Sequence, residues 1–172
     1  VEGSASLKTF PITWVDRTGR TETLWEEAGI YGSPRLSPDG KSLALSVLRD
    51  DNWDVWIYDL QRGVATRLTF GEGYDADPVW SPDGRWLAYE GEVGGVDGIF
   101  RKRTDGTGDA ETLLEPGEMT FPAPQAWSPD GRTIAIQVSG EGGQTDIFML
   151  PLGTDGPGEL EPFVVTPFTE AG

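Results

Sequence analysis

A chain of 172 residues is long enough for one ordinary domain with a substantial core, and seven Trp and seven Phe supply the material for it. Its 29 acidic against 13 basic side chains, a formal charge of −16, exclude nucleic acid as a partner and argue against anionic membrane, while leaving cationic ligands, basic protein surfaces and divalent metals open. With neither Cys nor His there are no disulfides, no thiolate or imidazole catalysis and no Cys- or His-ligated metal, so any chemistry would run on carboxylates, Lys, Tyr or a carboxylate-bound metal.

The 24 Gly and 13 Pro are spread along the chain, which points to many short strands joined by tight turns. The start, "VEGSASLKTF", has no signal-peptide core, and no stretch approaches the roughly 20 apolar residues of a membrane helix. "ITWVDRTGRTETLW" (12–25) reads as two strands. "ETLWEEAGI" (22–30) permits one helical turn at most, and "EEAGIYGSP" (26–34) reads as a loop.

From there the chain repeats itself. "LSPDGKSLALSV" (36–47), "WSPDGRWLAYEG" (80–91) and "WSPDGRTIAIQV" (127–138) share a tetrapeptide that begins at Ser37, Ser81 and Ser128, intervals of 44 and 47. Each is preceded by a short segment and followed by a strand-like run, a polar break, and then "DVWIYDL" (54–60), "DGIFRKR" (97–103) or "DIFMLPL" (146–152). A last turn leads to "VATRLTF", "AETLLEP" or "EPFVVTP". Four short strands in roughly 45 residues is the mark of a β-propeller blade. In "VWIYDL", Val55, Ile57 and Asp59 face one way and Trp56, Tyr58 and Leu60 the other, as suits a sheet sandwiched between neighbours.

The Ser-Pro-Asp-Gly element is a hairpin corner. Pro presets the second position of a type I turn, Asp suits the third, and Gly takes the left-handed conformation that closes it. The Ser hydroxyl and Asp carboxylate can cap turn amides locally. Three equivalent corners on separate blades do not converge on one substrate, so a catalytic role is disfavoured.

These residues resemble the Pro-Asp (PD40) or TolB-like propeller repeat, a relative of the WD40 repeat. The stretches "WVDRTGR" and "SPRLSPDGKSLALSV…DVWIYDLQRGVATRLTF" look especially like propellers found downstream of bacterial serine/threonine kinase domains. The sialidase Asp-box fits less well, because it needs a residue between Asp and Gly. True WD40 repeats would show Gly-His and terminal Trp-Asp pairs. The resemblance implies an all-β fold, an incomplete β-propeller of about three and a half four-stranded antiparallel blades. They are a half-blade at 10–26, whose inner two strands are missing, and blades at 34–70, 78–115 and 123–166.

Such an arc cannot close, since rings need at least four blades. Its open ends are expected to be covered, either because the chain is a fragment of a larger protein or because a second copy completes a ring as a homodimer. The expected function is a non-catalytic interaction or scaffold module with a protein partner. The alternative is the propeller domain of a larger hydrolase or lyase, gating or binding its substrate. The resemblance leans towards the cell envelope and otherwise leaves the compartment open.

In propellers, partners usually engage the loops that join one blade to the next and those between each blade's second and third strands. Tyr31, Tyr74, Asp75, Asp77, Glu118, Met119 and Phe121 are the expected contact residues. No cofactor and no metal are expected. "DDNWD" echoes a calcium loop, but Val55 stands where Gly is required and no bidentate Glu follows. "GTGD" (106–109) lacks the Lys-Ser/Thr and helix of a phosphate loop.

Overall fold

The computed structural model describes residues 9–93, 96–115, 122–139, 145–154 and 156–164, and every regular element among them is a strand. The first sheet runs in the order β1 (Phe10–Val15), β2 (Thr21–Leu36), β3 (Ser42–Arg49), β4 (Asn52–Asp59), β5 (Val64–Arg67). The second holds β6 (Asp75–Trp80), β7 (Trp86–Val93), β8 (Val96–Arg103) and β9 (Glu111–Leu114). The third holds β10 (Pro122–Trp127), β11 (Thr133–Ser139) and β12 (Thr145–Gly153). Here β12 is joined by β14 (Glu161–Val164) and by the two-residue β13 (Gly156–Pro157). All pairings are antiparallel between neighbours in the chain, apart from β12 with β14. The leading strands β2, β6 and β10 contact one another in turn, so the sheets stack side by side as an unclosed propeller arc.

Alternation along each strand buries both faces. On β3 and β4, Ala44 and Val55 turn towards the second sheet, where they meet Leu68, Leu87, Tyr89 and Phe100. On the other side of the first sheet lie Leu43, Leu45 and Val47, paired across the strands with Tyr58, Trp56 and Asp54. The second seam packs Ala88, Ile99 and Leu113 against Ile134, Ile136, Val138 and Leu150. Complete burial of side chains this size stabilises by about 1.5–3 kcal/mol each, so these two clusters hold the arc together.

The three Ser-Pro-Asp-Gly corners are superimposable in chemistry. Gly40, Gly84 and Gly131 have φ of 69°, 70° and 74°, the left-handed region that L side chains avoid. Each Ser hydroxyl donates to its Asp, at 2.7 Å from Ser37 to Asp39, 2.7 Å from Ser81 to Asp83 and 2.6 Å from Ser128 to Asp130. The same hydroxyl accepts from the amide five residues on, and the carboxylate accepts from the amide two residues on. Those bonds, led by the Ser hydroxyl, hold all three carboxyls below the usual range. The Ser hydroxyl and the carboxylate Oδ1 are both spent on the turn itself, which is why the element builds a corner.

Residues 22–34 depart from expectation. Neither the helical turn nor the loop forms. Thr21–Leu36 is one continuous strand, pairing with β1 up to Gly29 and with β3 from Ile30 onward. Its first half crosses the flank of the first sheet. Trp25 stacks on Tyr58, with ring centres 5.7 Å apart, and meets Trp56 at 6.1 Å, while the Tyr58 hydroxyl donates to the Leu24 carbonyl. The aromatic area buried there outweighs the turn propensity of "EEAG". A bulge between Gly32 and Arg35, with Ser33 at φ 47°, absorbs the irregularity.

Candidate functional site

The connection from the first sheet to the second, residues 68–75, is where buried polar chemistry collects. At the end of β5, Leu68 and Thr69 donate backbone bonds to the Val55 carbonyl at 2.8 and 3.3 Å, and the Thr69 hydroxyl accepts the Val55 amide at 2.9 Å. Arg67 reaches back: its Nη2 lies 2.7 Å from Asp54 Oδ1 and its Nε donates to the Thr69 carbonyl at 2.8 Å. Asp54 is only 2% exposed, so this pair satisfies a charge withdrawn from water. Asn52 adds a bond to the Gly71 carbonyl at 2.9 Å. A polar loop is thereby pinned to the blade it leaves.

Asp75 opens β6 and is also 2% exposed, with its Oδ1 lacking any hydrogen-bond partner. It sits opposite Gly91 in the ladder, and a Cβ on that residue would lie 2.2 Å from Asp75 Oδ1 and 2.9 Å from the Tyr74 carbonyl. Only glycine permits the carboxylate to lie there. Burial pushes the Asp75 carboxyl up to about 6, reinforced by neighbouring Asp54 and opposed by hydrogen bonds from Thr69 and the Glu92 amide and by the charge of Lys102. The residue lines a cavity of about 460 Å³ together with Thr69, Phe70, Tyr89, Glu92 and Lys102. Tyr89 forms the apolar wall, its phenol pushed up by burial and then by Asp75. Phe70 is 68% exposed, with the Arg67 guanidinium 5.2 Å and the Lys102 ammonium 5.7 Å from its ring centre.

The other expected contact residues fall into three sets. Tyr74, 47% exposed, stands beside this cavity's Asp75, and its hydroxyl is pushed up to about 12 by burial and by Glu90 and Asp77. Asp77 points to a different task. At φ 52° its carboxylate accepts the Ser33 hydroxyl and its amide donates to Ser46 Oγ at 3.1 Å, which clamps β6 to the first sheet. Tyr31 lies within β2, not in a loop. Its ring covers Gly29 and meets Trp25 at 5.2 Å, and its hydroxyl donates to the Glu27 carbonyl at 2.6 Å. Glu118, Met119 and Phe121 lie outside the described residues.

Sequence patterns did not single out Phe70, Lys102 or the Asp54–Arg67 pair. The recurrence of Asp54, Asp97 and Asp146 at the head of each third strand was a signal for the last of these. Its partner lies 13 residues away across a hairpin, which no spacing rule ties to it.

Comparison with known proteins agrees with this architecture. The TolB beta propeller domain model matches residues 12–120. An uncharacterised protein of Agrobacterium fabrum is 45% identical over 44% of this chain and 30% of its own length. The crystal structure of TolB from Acinetobacter baumannii superposes with a TM-score of 0.65 at 25% identity, covering 87% of this chain and 37% of that one. Prolyl endopeptidase coordinates match over 92% of this chain and 27% of theirs with a TM-score of 0.66, and at 18% identity that likeness is one of fold alone. The chain therefore spans well under half the length of these relatives. Strand order, Ser-Pro-Asp-Gly corners and a family match over more than half of its residues make it a member of the TolB beta propeller (PD40) family.

Proposed function

We propose that this chain is a non-catalytic interaction module, part of a larger propeller protein, that binds a protein partner through the Phe70–Asp75 connection and covers its open flanks by self-association. The observation that carries this is where large apolar side chains meet solvent. Seven of the nine exposed large apolar side chains among the described residues do so on β1 (Phe10, Trp14, Val15), on β14 (Phe163, Val164) and on the one described connection between sheets that carries Phe70 and Tyr74; Leu36 and Val64 are the other two. Apolar side chains gathered at the two ends of an arc and on one connection are what association buries. The charge of −16 selects for basic partner surfaces.

Sedimentation equilibrium across a hundredfold concentration range tests the self-association. The expected result is a concentration-dependent dimer that Trp14→Asp and Phe163→Asp each weaken. A monomer throughout overturns that part. The alternative, a propeller serving a hydrolase or lyase, puts the catalytic groups on another domain, since this chain has neither His nor Cys. Turnover of a hydrolase or lyase substrate by the 172-residue chain, lost on Asp75→Asn, would reverse the non-catalytic reading.

A further inference from the structure

A carboxylate withdrawn from water normally has every oxygen satisfied, because a buried acceptor without a donor is destabilising, most of all when charged. Asp54 obeys the rule through Arg67. Asp75, 2% exposed and on the wall of a cavity, does not. Its Oδ1 has no donor. Lys102, whose charge acts on Asp75, is in no ion pair among the described residues and leans over the Phe70 ring instead. Around the same space stand Glu72 and Glu92, so three carboxylates face one ammonium. The cavity is therefore anionic, is walled by a carboxylate with one unmet oxygen, and is bounded by an aromatic ring that already attracts two cations. Among the described residues no three carboxylates converge closely enough to ligate a metal ion.

We propose that this cavity receives an organic cation, an ammonium or guanidinium group, with Asp75 as its counter-ion and Phe70 as the wall it slides against. The volume, about 460 Å³, admits a lysine or arginine side chain or a free amine of that size. Glu92 and the Thr69 hydroxyl stand at the sides of the entering group, and Lys102 is the resident charge it must push aside. This deepens the assignment of the Phe70–Asp75 connection as an interaction face and rests on it.

The chemistry makes a prediction that a purely structural carboxylate would not. A cation that binds ionised Asp75 must lower the pH at which that group titrates, and binding between pH 5 and 6 must release a proton. The test follows Asp side-chain carboxyl resonances in the full 172-residue chain by carbon-13 NMR. It is run with and without three probes: n-butylammonium, arginine amide and an N-acetylated tri-lysine amide. The Asp75 midpoint is expected to fall by about one pH unit at saturation, a tenfold change in proton affinity. Asp39 and Asp130 on the opposite corners should stay put. Asp75→Asn removes the binding, and Lys102→Met tightens it by about tenfold by deleting the competing charge.

Tighter binding of the peptide than of n-butylammonium identifies a basic side chain as the source. Equal binding identifies a free amine. A midpoint that does not move, or that moves equally for the corner carboxylates, overturns the proposal. Should Asp75→Asn fail to fold, a Lys102→Met protein with unchanged or weaker affinity overturns it as well. None of these failures touches the broader interaction face, which is judged by whether a bound partner protects Phe70 and Tyr74.

Discussion

The two seams between sheets use the same strand pattern and close it with different chemistry. The second, between Ala88, Ile99 and Leu113 on one side and Ile134, Ile136, Val138 and Leu150 on the other, is apolar throughout its buried cluster. The first borders an apolar centre of similar size with buried Thr69 and Asp75 and with Ser46 beneath the Asp77 clamp, while buried Asp54, on the first sheet's other face, still acts on Asp75 through its charge. Among the described residues the second seam buries no charge. The other spends part of its stability on charge inside the protein, which a scaffold alone does not require.

The contrast can be broken most sharply on the apolar side. Ile136→Ala removes a fully buried side chain from a joint with no polar substitute, and should cost about 4 kcal/mol. Urea unfolding reads this as a lower midpoint with unchanged slope, equal at pH 5 and pH 8. On the polar side, Arg67→Met leaves buried Asp54 without its partner and beside Asp75. A loss of about 3 kcal/mol is expected at pH 8 and less at pH 5, where protonation of Asp75 relieves the repulsion.

Asp75→Asn has the opposite sign. A carboxyl raised from 3.8 to about 6 on folding binds its proton more tightly in the folded state. The stability it contributes is therefore greatest below the lower value and falls as pH rises through the window between them, by up to about 3 kcal/mol. The amide variant should be more stable than the parent at pH 8 by about 2 kcal/mol and lose that stretch of pH dependence. A parent whose stability rises between pH 4 and 6 relative to the variant would remove the case for an unmet carboxylate.

The smallest effect belongs to the corners. Asp83→Asn keeps a side-chain acceptor for the Arg85 amide, now at 3.0 Å, and exchanges its charged bond with Ser81 for a neutral one. A small drop in urea midpoint is expected, and the same change at Asp39 and Asp130 should match it because the three corners are built alike.

The residues differ in how openly they showed these roles. Pro38, Asp39 and Gly40 declared a corner because a turn is decided within four residues, and the same logic carried over at Ser81 and Ser128. The alternation of Val55 and Ile57 against Trp56 and Tyr58 announced a sheet buried on both faces. Tyr74 and Asp75 were found by the connection they share in the sequence, and of the two only Asp75 lines the cavity. Asp77 was found by the same rule, yet its carboxylate is spent on Ser33. Tyr31 was misplaced in a loop because "EEAG" carries weak strand propensity, and the partner that draws it straight, Tyr58, is 34 residues from the Leu24 carbonyl it holds.

What the amino-acid order determined by itself is everything that repeats. Four strands per unit, three hairpin corners and two buried faces are properties of short windows, where backbone sterics and alternation act without distant help. Tertiary structure alone decided which buried carboxylates met a partner. Asp54 has Arg67 within reach and Asp75 has none for its Oδ1, because a charge is satisfied or stranded by what folding brings to within about 3 Å of it, and adjacency in the chain carries no record of that.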